Sequence, residues 1–150
     1  MSWTNADGLT VLMHEEQGNV REGGLSTVSP MKHLIIDLDL TAARGVQAND
    51  AYIPAGSYIK SATLVVTTAA AGGTSINFGL ANAAGSAIDA DGIDAAVATA
   101  ALAANKAVVC DGALVAGADG VGAADAYVTT ANTGTFTAGA AKLVIEYIEV

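Results

Sequence analysis

The sequence predicts an all-β fold, a jelly-roll-like β-sandwich of about seven or eight strands with one short helix and an extended N-terminal arm. Three observations predict it. Large apolar residues alternate with polar ones in short runs, the period of half-buried strands. Clusters of Gly, Pro, Asn and Asp separate those runs and read as turns. The chain is also poor in charge, with 14% charged residues against 52% hydrophobic, so its apolar faces must pack on one another or on a neighbour. A length of 150 residues fits one domain overall: an arm or loop region with one short strand over 1–30, and the sandwich over 31–150.

The elements follow in order. Gly8 to Met13 reads as a short strand. The polar, glycine-rich stretch from there to Pro30 reads as a long loop, or as an arm that reaches a neighbour. Met31 to Thr41 is the clearest strand, with Leu34, Ile36, Leu38 and Leu40 on one face and Ile35, Asp37, Asp39 and Thr41 on the other. Thr41 to Ala51 is a loop holding Arg44, Gly45, Asn49 and Asp50. Ile53-Pro54-Ala55-Gly56 is a turn with Pro54 in its second position. Ser57 to Thr68 is a long strand with Leu64 and Val66 inward and Thr63, Val65 and Thr67 outward. Gly72-Gly73 makes a hairpin connection, and Ser75 to Leu80 resumes with Ile76, Phe78 and Leu80 on one face.

After a loop, Asp91 or Asp94 caps the short helix, with Ile93, Val97 and Ala101 on one face at i, i+4 and i+8. A loop crossing one end of the sandwich is the competing reading of that stretch. Ala107 to Ala116 is a strand broken at Asp111-Gly112, Gly117 to Ala124 a turn, and residues 125–131 and 141–150 complete the set. In the last strand Leu143, Ile145 and Tyr147 oppose Val144, Glu146 and Ile148. Apolar groups on both faces place it in a central position or a subunit interface.

The motifs that carry chemistry fail on inspection, so no catalytic residue, cofactor or metal is expected. Asp89-Ala90-Asp91-Gly92-Ile93-Asp94 suggests a calcium loop. Counted from Asp89, however, the glycine falls at position 4 and position 12 is Ala100. Gly120 and Gly122 form a GxG without the third glycine of a dinucleotide fingerprint, and no Gly-Lys-Ser/Thr is present. His14 and His33 are too far apart to read as a zinc pair. No Gly-x-Ser-x-Gly elbow occurs. Asp37 and Asp39 share a strand face, but the wetter one; with His33 they are the first suspects for a hydrolase or lyase. Cys110 stands alone and reads as a buried small hydrophobe.

Asp and Glu outnumber Lys and Arg by 15 to 6, a net charge of −9. That balance argues against nucleic acid, which needs a basic face, and against anionic membranes. No targeting segment or membrane span is visible. Partner contacts are expected at Trp3, the single tryptophan, at His14 and Arg21 in the arm, and at Tyr147.

Three segments carry a family resemblance: Ala6-Asp7-Gly8-Leu9-Thr10-Val11; Ile53-Pro54-Ala55-Gly56-Ser57-Tyr58-Ile59-Lys60-Ser61-Ala62-Thr63-Leu64-Val65-Val66; and Ala138 to Val150. The chain resembles capsid decoration or cement proteins of tailed bacteriophages, particularly of marine phages. The likeness rests on strand pattern and turns and transfers no functional residue set. It implies a β-sandwich, often a homotrimer, made in the host cytoplasm and located on the capsid surface of the virion. There it binds the major capsid protein and stabilises the head by bridging subunits, an effect that avidity amplifies. A head-fibre or tail-associated adhesion protein binding host or glycan is the alternative.

Overall fold

The computed structural model describes residues 2–4, 10–12, 31–47 and 49–150, the first two segments by backbone alone. Backbone contacts divide the chain into Met1–Pro30 and Met31–Val150. In the first unit β1 (Ser2–Thr4) pairs antiparallel with β2 (Thr10–Leu12), Trp3 opposite Val11. β2 is the strand expected within Gly8 to Met13. The loop or arm expected beyond it, to Pro30, lies outside the described residues.

The second unit is built from β3 (Met31–Asp39), β4 (Tyr58–Gly72), β5 (Ser75–Ala81), β6 (Ala87–Ala98), β7 (Ala107–Val109), β8 (Tyr127–Thr133) and β9 (Phe136–Ile148). They form two antiparallel sheets, ordered β3-β9-β4-β7 and β6-β5-β8. One face of each sheet feeds a single buried cluster. Leu34, Ile36, Leu38, Leu64, Val66, Leu143 and Ile145 come from the first sheet, and Ile76, Phe78, Leu80, Ile93, Val97 and Val128 from the second. This is the sandwich that the alternation predicts; the inward residues named from the sequence on β3, β4 and β5 are buried, and β4 adds Ile59 and Ala62 to them. β9 lies between β3 and β4, the central position that was one of the two readings of its sequence.

The described strands of this unit number four and three, and its described residues form no α-helix. The segment expected to be helical is strand β6, followed only by a 3-10 turn over Thr99–Ala101. Bulges misled the periodicity. Between the pairs Phe78–Asp94 and Ile76–Val97, β6 uses three residues where β5 uses two, and between Leu80–Asp89 and Phe78–Asp94 it uses five against two. An extra residue turns a two-residue step into three, as from Asp94 to Val97, and so erases the strict alternation that marks a strand. Ala96 sits at a φ of 51° in the first bulge, its amide donating to Asn77 Oδ1 at 2.8 Å. The bulge near Ala90 lies so close to Gly79 that any Cβ there would overlap the Ala90 carbonyl. Tertiary packing of this kind outweighs alanine's helix propensity of a few tenths of a kcal/mol per residue.

Three smaller expectations are corrected as well. Gly72-Gly73 does not join paired strands: it carries the chain from one sheet to the other, and Gly134 does the same between β8 and β9. Gly73 has a φ of 58° and its missing side chain leaves room for the Phe136 ring. The turn after Ile53 closes from Ser57 N to Pro54 O at 3.2 Å with Gly56 at a φ of 78°. Pro54 therefore holds the first position rather than the second. The strand expected over Ala107 to Ala116 stops at Val109, because the chain then turns to bond β6, Gly112 N to Ile93 O at 2.8 Å and Leu114 N to Gly92 O at 2.9 Å.

Candidate functional site

Cross-strand register on the outer face of the four-stranded sheet builds a surface that the sequence does not display as one run. Ile35 on β3 is paired with Val144 on β9, Val144 with Thr63 on β4, and Thr63 with Val109 on β7. Ile35 and Val109 end this row at 61% and 77% exposure, and Val65 on the next row is also exposed. Polar rows flank it. On one side Asp37 pairs with Lys142, the carboxylate meeting Nζ at 2.5 Å. On the other, His33 and Ser61 both stand opposite Glu146, and the Ser61 hydroxyl donates to Glu146 Oε2 at 3.2 Å. An apolar strip with a polar rim is the anatomy of a contact surface.

The residues suspected of catalysis are not assembled into a reagent. Asp37 and Asp39 line a depression of about 330 Å³ with Arg44 and Gln47, and His33 is not part of its lining. Hydrogen bonds from the Thr41 hydroxyl, at 2.7 Å, and from its amide, at 2.9 Å, hold the Asp39 carboxyl below the ordinary carboxylate range. An acid–base pair needs one carboxyl raised instead. Asp94 is raised, chiefly by burial at 7% exposure and then by the nearby Asp111 charge. It points toward Cys110, whose thiol is pushed up to about 12 by burial, the Asp94 charge and their mutual hydrogen bond. A thiol so rarely ionised is no nucleophile. Among the described residues no group of three or more His, Cys, Asp or Glu is placed to hold a metal ion. Asp89 and Asp91 instead share a local turn on β6, the Asp91 amide donating to Asp89 Oδ1 at 3.3 Å.

Of the expected contact residues, Trp3 lies on β1, while His14 and Arg21 fall outside the described residues. Tyr147 belongs to the buried core at 8% exposure, and that burial, with the charges of Glu149 and Tyr52, raises its phenol.

A second feature escaped the sequence reading because three segments build it. The chain after β3 runs back along the β8 edge. Arg44 and Thr130 exchange backbone hydrogen bonds at 3.2 and 2.9 Å, and Ile53 and Ala126 exchange two at 2.8 Å. Between these points the described residues 45–47 and 49–52 form a bow. Arg44 fastens the bow, donating to Val128 O at 2.8 Å and gripping both Asp50 carboxylate oxygens at 2.8 and 3.1 Å. The bow, Tyr127 and the turn at Ala83 border an open groove of about 500 Å³. Tyr52 and Tyr127 stand in it with ring centroids 5.5 Å apart and planes inclined at 42°.

The fold has a counterpart. The chain is similar to a chain of the cyanophage Pam1 capsid asymmetric unit. The two superpose with a TM-score of 0.57 at 16% sequence identity, over 90% of this chain and 96% of the other. No family model and no curated protein matches the sequence. Among the described residues no helix is long and apolar enough to cross a membrane.

Proposed function

We propose that this chain is a non-enzymatic structural protein of a phage virion, a decoration or cement protein on the outer capsid surface. On this reading it bridges neighbouring major capsid protein subunits and stabilises the head. The observation that carries the proposal is the outward row Ile35–Val144–Thr63–Val109, exposed at its two ends and half-buried between, taken together with the likeness to a capsid chain. A joint-bridging protein needs apolar contact area held in fixed geometry and no reactive group. A homotrimer places several such faces at once, so that weak contacts add by avidity. Trp3, His14 and Arg21 are the contacts assigned to the N-terminal unit, and Tyr147 supports the end of β9 from within.

The test uses phage heads stripped of this protein. Heads with the protein added back should release DNA at a higher temperature than stripped heads. A variant carrying Ile35→Lys and Val109→Lys should fold normally, since both sites are exposed, and fail to restore that resistance. Equal head stability with and without the protein defeats the proposal. Full activity of the double variant removes the outer row from it.

A further inference from the structure

The tyrosine groove lies apart from the outer row of the four-stranded sheet and has a lining of its own. Its walls combine two aromatic rings with Gln47, Asn49 and Asp50, and Ala83 leaves one side low. Tyr52 is 45% exposed, so a ring face is available to a ligand. A volume of about 500 Å³ falls in the range of small-molecule sites, roughly 300–1,000 Å³.

The charge of the lining narrows the ligand class. Asp50 is the one charged side chain in it, and the Arg44 guanidinium neutralises that carboxylate. With no unmatched cation, phosphates and acidic sugars have nothing to pair with. The unused hydrogen-bonding capacity is neutral. Asp50 Oδ2 accepts from Arg44 Nη1 and the Gln47 backbone amide, while among the described residues Oδ1 accepts only from Arg44 Nη2. The side-chain amides of Gln47 and Asn49 supply donors and acceptors beside it. A ligand matching this set has a flat C–H face for the negative face of a tyrosine ring and several hydroxyls along its edge.

We infer that the groove lined by Gln47, Asn49, Asp50, Tyr52 and Tyr127 binds a neutral saccharide. A pyranose ring stacks on Tyr52 and its hydroxyls bond to Asn49, Gln47 and Asp50 Oδ1. The site is pre-organised, because the Arg44 contacts hold the bow before any ligand arrives, which limits the ordering entropy of binding. An extended proline-rich peptide also uses aromatic grooves. It advances about 3.1 Å per residue and needs a long row of platforms, whereas here two inclined rings make one short cleft. This inference does not rest on the capsid role, and its test needs no particle.

Isothermal titration of the full chain provides the test. The probes are neutral tetrasaccharides of glucose, galactose and mannose, with sialyllactose and a proline-rich hexapeptide as competitors in class. At least one neutral tetrasaccharide should bind saturably and more tightly than either competitor. Tyr52→Ala should weaken it by roughly tenfold, and Tyr58→Ala, outside the groove, should leave it unchanged. Asn49 holds a φ of 65°, so Asn49→Gly removes the amide while suiting the backbone. That variant should bind severalfold more weakly with thermal stability equal or higher, which separates lost contacts from lost folding. No saturable binding of any neutral tetrasaccharide overturns the inference. So does tighter binding of sialyllactose or the peptide, and so does a Tyr58→Ala effect equal to that of Tyr52→Ala.

Discussion

Arg44 holds the bow by contacts that can be removed without removing its bulk. Arg44→Met keeps an unbranched apolar stem where the arginine stem packs and deletes the guanidinium. Three hydrogen bonds vanish, two to the Asp50 carboxylate and one to Val128 O. The side chains of Arg44 and Asp50 are only 16% and 12% exposed, so water regains little access. Asp50 then keeps the Gln47 amide as a partner at 2.9 Å but no countercharge. Hydrogen bonds to charged groups contribute about 1.5–3 kcal/mol net, and stranding a buried charge costs about 3–5 kcal/mol. Partial exposure and the surviving Gln47 contact place the expected loss near the lower bound, about 3 kcal/mol. For a domain of this size that lowers the melting temperature by about 10 °C. Circular dichroism during thermal and urea unfolding reads it. Asp50→Asn in the Arg44→Met background should recover about 1–2 kcal/mol by removing the stranded charge. A loss below about 1 kcal/mol, or no recovery in the double variant, would show that the backbone pairs at Thr130 and Ala126 hold the bow unaided.

The remaining expectations concern the interior and the corner. Asp94 has a folded-state pKa above its ordinary value of 3.8, so its ionised form is disfavoured in the fold. Wild-type stability, compared with Asp94→Asn, should therefore rise as pH falls from the raised value toward 3.8 and be lowest above that window; paired urea titrations across that range check the sign, and the opposite slope refutes it. Cys110, at 3% exposure and with a thiol pushed up to about 12, should resist a thiol reagent such as dithiobisnitrobenzoate in native protein and react once urea unfolds it; fast native labelling contradicts the burial. Gly73→Ala combines a φ of 58° with a Cβ inside the Phe136 ring. It should destabilise by more than about 1 kcal/mol in chemical denaturation, and a neutral result means the corner can open.

Alternation on β3, β5, β9 and the Ser61–Val66 stretch of β4 was legible because the register against a neighbouring strand is kept over those buried rows. Leu34, Ile36, Leu38, Leu143 and Ile145 sit two residues apart, and the sheet leaves each of them facing the core. β6 was not legible for the opposite reason. Its bulges respond to partners far along the chain, Asn77 and Gly79 on β5 and the Gly112 loop, and a local window contains none of these. Likewise the turn chemistry of Gly72-Gly73 shows that the chain reverses, while only the Thr133 and Phe136 neighbours decide that it changes sheets. Glycine reports backbone freedom and not destination.

Both candidate surfaces were hidden by the same circumstance. Each is a product of register between segments that the sequence keeps apart. Ile35, Thr63, Val109 and Val144 each look like an outward residue of an ordinary strand, and a single exposed apolar residue means little. They gain significance only because antiparallel pairing aligns them into one row across four strands. The groove works in the same way. Tyr52 and Tyr127 are 75 positions apart, yet the Ile53–Ala126 pair makes them neighbours. Arg44 and Asp50 read as members of a polar loop until the β8 edge supplies Val128 O and Thr130 for the bow to fasten on. A chain poor in charge can still build specific surfaces in this way. The sandwich fixes the distances, and a few ordinary side chains acquire their chemistry from the neighbours that register gives them.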